Sequence, residues 1–397
     1  MSEPMFERTL QAYLDDGPTT LSERVMQDSL RDVHRARQRS RRGALPWMRR
    51  WDRGARVALA AVVIVIIAVV AGPLIGQGRP PEAQARIGGL WPTDAGVVAS
   101  WATASTGEAS RYLAAVAYDR FDGRGWSLSE PVTALERLAG QSLLENAVDA
   151  ADATTRTELT ITVTPGQTGS IVLLPGEPVR VDSPVVLELV GNGFLGRISR
   201  ESAASSYTVT TRIPVPEVDG GPMQARLRQA GRVYPDGLLQ RYGRAAVPTD
   251  AITTSAANSL LNEIVASGGD NPFDLSAGAE RLFKDPTRFT YDTDVRDLDC
   301  GNLSIVDCFA VHRRGFCAYY ASTMAVLLRQ LDIPTRYMQG FLEGERDPVT
   351  GVWSVRNFDA HAWVQVYFPR YGWIDFDPTV RPAPTTLGLP SGRPGAG

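Results

Sequence analysis

The chain has 397 residues and a formal net charge of −3, so it is long enough for two or three domains. It lacks the basic excess that would point to nucleic acid as its main partner. Three cysteines, Cys300, Cys308 and Cys317, are too few for a disulfide-built scaffold, and the histidines, His34, His312 and His361, are equally sparse.

Residues 1–56 are polar and rich in arginine. The spacing of Phe6, Leu10 and Leu14, and then of Leu21, Val25, Leu30 and Val33, predicts two short amphipathic helices around Gly17-Pro18. Arginines crowd from Arg35 to Arg56, the pattern of a topogenic signal. Val57 to Ile75 is apolar but for Gly72 and Pro73. About 20 such residues at ~1.5 Å rise cross a bilayer core of roughly 30 Å, so residues 57–76 read as one transmembrane helix. The arginines before it place the N-terminus in the cytoplasm and everything after residue 77 outside. Ala83-Gln-Ala85 has the small-x-small form of a signal-peptide cleavage site, but the leading segment is too long for a signal peptide.

Residues 77–84 form a linker. From 85 to 215 the signals are mostly strands, at 112–118, 157–164, 171–174, 185–190 and 207–213, with 133–153 more helical or loop-like. Trp126 and Phe121 fit core packing better than a binding face, and nothing in this stretch carries chemistry of its own. A boundary falls at Pro214–Gly221. Helical patterns follow at 223–233, at 249–266 behind a Thr-Asp cap, and at 276–283 after Asn271-Pro272. Strands are expected at 335–341, 352–355, 360–368 and 373–376, and the Pro- and Gly-rich tail from 382 reads as disordered.

One stretch organises the second half. Gly315 precedes Cys317, and Met324, Leu327, Leu328 and Leu331 then recur at helical spacing, which puts a thiol at a helix N-terminus. Unpaired N–H groups there favour the thiolate. His361, on the strand Asp359-Ala-His-Ala-Trp363, supplies a base, and Asp377 can orient it. Asp375 shares its strand face by the period of two, so alternation does not separate the two acids. Asp359 is close in sequence but on the histidine's own strand, and His312 reads as a surface residue. For the oxyanion, the Cys317 N–H is one donor and Tyr291 a candidate for the second. Cys300 and Cys308 either pair or join His312 as metal ligands. Their spacing of eight is unlike the short structural-zinc clip. Asp292, Asp294, Asp297 and Asp299 read as a solvated acidic loop, since they lack the glycine and terminal glutamate of a calcium loop.

Arg313-Arg-Gly-Phe-Cys317, Leu331-Asp-Ile-Pro-Thr-Arg336, Gly340-Phe341, His361-Ala-Trp363 and Asp377-Pro-Thr379, in that order, resemble the transglutaminase-like superfamily, in particular bacterial membrane proteins with an extracytoplasmic transglutaminase-like core. A weaker likeness covers 118–126 and 175–180. The resemblance implies Cys317 as nucleophile, His361 as base and Asp377 as third member. It implies an α+β, papain-like or transglutaminase-like core with a helical lobe and an antiparallel sheet. That core (216–380) would follow the β-rich domain (85–215) and the transmembrane helix, with 381–397 as tail. It also implies a thioester formed on a protein or peptide amide at the cell surface, leading to amide transfer, deamidation or peptide hydrolysis. The charge balance and the cysteine and aspartate spacings call for no nucleic acid and no metal, and no cofactor is expected. The reading from another class is a non-catalytic sensing or assembly protein, with a cytoplasmic partner for residues 1–56.

Overall fold

The computed structural model describes residues 84–87, 95–103, 112–143, 156–191, 193–201, 205–214, 222–267 and 269–380. The expected cytoplasmic segment, the transmembrane helix 57–76 and the tail 381–397 lie outside them. Among the described residues no helix is long and apolar enough to cross a membrane.

Eleven strands precede the described helices: β1 (Gln84–Arg86), β2 (Val97–Thr103), β3 (Tyr112–Tyr118), β4 (Arg120–Phe121), β5 (Gly125–Ser127), β6 (Val132–Arg137), β7 (Arg156–Pro165), β8 (Glu177–Val181), β9 (Val185–Val190), β10 (Phe194–Arg200) and β11 (Tyr207–Pro214). Residues 132–137 are therefore a strand where a helix or loop is expected. None of the six is buried, and Thr133, Ala134 and Glu136 are exposed, as befits the edge of a sheet. The helical stretch comprises α1 (Pro222–Arg228), α2 (Leu238–Tyr242), α3 (Ser255–Ser267), α4 (Pro272–Phe283), α5 (Ile305–His312) and α6 (Cys317–Gln330), with β12 (Thr290–Tyr291) and β13 (Arg314–Gly315) among them. α3 begins later than its sequence pattern, because Thr254 rather than Thr249 supplies the cap, its Oγ1 accepting from the Ala257 N–H at 3.2 Å. The chain ends in β14 (Thr335–Leu342), β15 (Glu345–Arg346), β16 (Trp353–Arg356), β17 (Ala360–Phe368) and β18 (Gly372–Phe376).

The strands assemble across the Pro214–Gly221 boundary. A seven-stranded antiparallel sheet runs β18-β17-β14-β3-β10-β9-β6, and a six-stranded one runs β15-β16-β2-β7-β11-β8. Each mixes strands from 85–215 with strands from beyond 330. Between the two sheets, Trp101, Leu113, Ile161, Val163, Leu187, Ile198, Val209 and Val355 form one apolar cluster. On its other face the seven-stranded sheet presents Ala362, Val364, Val366 and Phe368 to α6. The order is thus helices, large sheet, second sheet.

α6 is buried on all sides, Gln330 excepted, so it is a core helix rather than an amphipathic surface one. Trp126, expected to pack in the core, is buried there. It donates from Nε1 to Ser322 Oγ at 2.9 Å and stacks on Tyr337 with centroids 5.1 Å apart. Arg329 is buried, and among the described residues no carboxylate forms a salt bridge with it. Its guanidinium donates to the Thr335 and Asp119 carbonyls and lies over the Trp126 ring. Burial lowers its pKa to about 10.

Candidate active site

Three helix starts differ in how their first N–H groups are satisfied. Asn271 caps α4, accepting from the Asp274 N–H, and Ser304 caps α5, accepting from the Asp307 N–H. α6 starts at Phe316 with no side-chain cap. The atom that fills the gap is the Cys317 sulfur, which takes hydrogen bonds from the Ala318 and Ala362 N–H groups and from the Tyr291 phenol. Gly315 is needed here for space rather than for an unusual φ. A Cβ on it would stand 2.7 Å from the Tyr319 Cβ and 2.9 Å from its Cγ. Parallel pairing of β12 with β13 sets Tyr291 opposite Gly315 and so delivers its phenol to the thiol.

Cys317 is fully buried, and burial pushes its thiol up to about 12 against the donors that oppose the rise. The helix start is expected to favour the thiolate, and burial works against it. The helix end and its donors do favour the anion, but desolvation in this core outweighs them. Burial thus favours the protonated thiol.

His361 lies in β17 opposite Gly340 of β14. A Cβ on Gly340 would meet the Leu113 carbonyl oxygen at 2.1 Å, so only glycine allows β3 to bulge against β14 at this point. The imidazole is 3 % exposed, with Nε2 3.0 Å from Asp377 Oδ2. A carboxylate facing Nε2 would take its hydrogen bond from that nitrogen and leave Nδ1 as the ring's acceptor atom. Asp377 sits one residue past the end of β18. Its N–H donates to Glu280 Oε1 at 3.1 Å, its Oδ1 accepts from the Thr379 N–H at 3.1 Å, and its Oδ2 accepts from the Tyr112 hydroxyl at 3.1 Å.

Asp375 looks elsewhere. It accepts from Trp363 Nε1 at 2.7 Å and Gln365 Nε2 at 2.8 Å, and burial raises its pKa. The strand ends between the two acids, which is why alternation could not tell them apart. A cavity of about 90 Å³ adjoins this second carboxylate, lined by Tyr112, Arg336, Met338, Trp363 and Gln365 among others.

The remaining candidates lie apart. Asp359 accepts from the Arg356 N–H at 2.8 Å and caps its own turn. Cys300 and Cys308 are joined in a disulfide, which leaves Cys317 as the free thiol. Grouping both sulfurs with His312, all within 4.8 Å, would need the reduced pair. His312 Nε2 lies 3.3 Å from the Asp299 carbonyl oxygen. In the acidic loop, Arg314 pairs with Asp292 and Asp297, and Arg296 with Asp294. Sequence reasoning missed Tyr112 and Glu280. Tyr112 belongs to the 85–215 stretch, and its strand reaches Asp377 through the non-local pairing of β3 with β14.

Residues 261–378 match the sequence profile of the Transglutaminase-like superfamily. They form a transglutaminase-like domain. Over 327 residues, 77 % of its length, the chain is 27 % identical to the uncharacterized protein YebA of Bacillus subtilis, covering 41 % of that protein. Over 131 residues, 33 % of its length, it is 34 % identical to the protein-glutamine gamma-glutamyltransferase of Pseudomonas aeruginosa, covering 19 % of it. The chain thus spans less than half the length of either relative. It is also similar to the crystal structure of the periplasmic domain of TgpA from Pseudomonas aeruginosa, at 24 % identity and a TM-score of 0.48, over 72 % of this chain and 88 % of that one.

Proposed function

We propose that the chain is a membrane-anchored, extracytoplasmic thiol acyltransferase that forms a thioester between Cys317 and a glutamine carboxamide of a protein or peptide. The observation that carries this reading is the chain of contacts at one helix end. An uncapped N-terminus holds a free thiol, and an imidazole next to the Ala362 N–H that binds the sulfur is oriented by a buried carboxylate. The glutamine substrate rests on the 34 % identity to a protein-glutamine gamma-glutamyltransferase over 131 residues. Anchoring and orientation rest on the apolar run 57–76 and the arginines before it.

In this mechanism the reaction starts from the protonated thiol, with His361 Nδ1 as the proton acceptor. As the Cys317 sulfur bonds to the carboxamide carbon, its proton moves to His361 Nδ1, and Asp377 stabilises the imidazolium. In this reading the Cys317 N–H and the Tyr291 hydroxyl, which faces the sulfur, serve the developing oxyanion. Collapse breaks the C–N bond, His361 returns the proton to nitrogen, and ammonia leaves. An amine acceptor then attacks the thioester with His361 as base, giving a new amide and regenerating the thiol. Water in place of the amine gives deamidation.

The test is mass spectrometry of the purified chain incubated with a glutamine peptide, with and without a primary amine. A Cys317 acyl adduct that discharges onto the amine is the expected result. No adduct under any condition would favour the non-catalytic sensing or assembly reading.

A further inference from the structure

Asp377 must hold its plane if it is to hold the imidazole, and one group on its carboxylate comes from outside the profile-matching residues. Within 261–378, Glu280 accepts from the Asp377 backbone N–H, and Thr379 lies just beyond that region. The carboxylate itself is held by the Thr379 N–H on Oδ1 and, on Oδ2, by the Tyr112 hydroxyl beside the imidazole. Tyr112 opens β3, opposite Leu342 of β14, far outside the matched region. Its ring also lies nearly parallel to two others. The centroid is 6.1 Å from that of His361 with planes 13° apart, and 4.8 Å from that of Trp363 with planes 23° apart. One side chain therefore meets both the acid and the base, from a strand the profile does not include.

We propose that Tyr112 is a positioning residue of the site. Its O–H sets the plane of the Asp377 carboxylate, and its ring limits the tilt of the His361 imidazole. The transglutaminase-like region is then completed by the β-rich stretch, and the shared sheet is the means by which it is completed. This rests on the proposed function for its kinetic consequence but not for its structural one.

The experiment uses the full chain labelled with ¹⁵N-histidine, as wild type, Tyr112→Phe, Asp377→Asn and the double variant. Tyr112→Phe keeps the ring and removes only the hydroxyl. The ring resonance of His361 is assigned by its loss in His361→Ala, with His34 and His312 as internal references. The expected result is a shifted His361 Nε2–H signal in Tyr112→Phe, with the other two histidines unchanged. Single-turnover acylation should fall about tenfold, the scale of one hydrogen bond to a charged group. In the Asp377→Asn background the same Tyr112→Phe change should cost under about twofold, because the two residues act through one contact.

An unchanged His361 signal with wild-type acylation would overturn the proposal. So would an equal loss in both backgrounds, which would assign the effect to general packing. If the wild-type chain forms no thioester, the enzymatic reading fails, while the ring signal still decides the role of Tyr112. If Tyr112→Phe lowers the melting temperature, the ring signal is read below that transition, where the folded populations are comparable.

Discussion

Two carboxylates two residues apart meet opposite surroundings. Asp375, inside β18, is held by an indole and a carboxamide and faces a small cavity. Asp377, just past the strand end, is held by a phenol and two backbone contacts and faces an imidazole. What separates them is where the ladder stops. A residue within the ladder has its direction set by the pleat, whereas the next one out is free to be aimed by side chains from other elements. Only the second kind of position can gather partners from β3, α4 and β17 together.

The largest expected effect comes from removing the nucleophile itself. Cys317→Ala should abolish thioester formation, measured as the acyl adduct by mass spectrometry. His361→Ala should be nearly as severe in single-turnover acylation, since the imidazole takes the thiol proton and returns it to the leaving group. Asp377→Asn should lower the acylation rate by a factor on the order of 10²–10⁴, the range expected when an acid no longer orients its imidazole.

The same contrast shows what could be read from sequence. The motif order around Cys317, His361 and Asp377, the long strands β3, β9 and β17, and the helix behind the thiol were all legible, because each is a local pattern. Tyr112 was not, because its strand pairs with β14 more than 200 positions away, across a bulge that depends on Gly340. The charge state of Cys317 was not legible either. A helix start argues for a thiolate, and only the packing around α6 shows that burial wins. The mixing of both halves in each sheet was hidden for the same reason as Tyr112.

That burial gives a pH-dependent expectation. A thiol raised from about 9 to about 12 stabilises the folded chain fully below pH 9. This contribution is lost as the pH rises toward 12, because the unfolded thiol ionises first. Iodoacetamide should therefore label folded Cys317 far more slowly at pH 8 than the urea-unfolded chain, with the rate climbing above pH 9. Equal rates in the two states at pH 8 would contradict the buried, neutral thiol.

The mildest expected effect on rate is Asp375→Asn. It removes a charge that two donors serve, at a cost of about 1–3 kcal/mol in stability, read by urea denaturation, while acylation should stay within about fivefold of wild type.

The central claim, that Asp377 and not Asp375 governs the imidazole, is tested most directly by one comparison. Asp375→Asn and Asp377→Asn are assayed side by side for single-turnover acylation, with folding verified by circular dichroism. The account predicts a large loss for Asp377→Asn and near-normal acylation for Asp375→Asn. A severe loss in Asp375→Asn alongside a mild one in Asp377→Asn would contradict it.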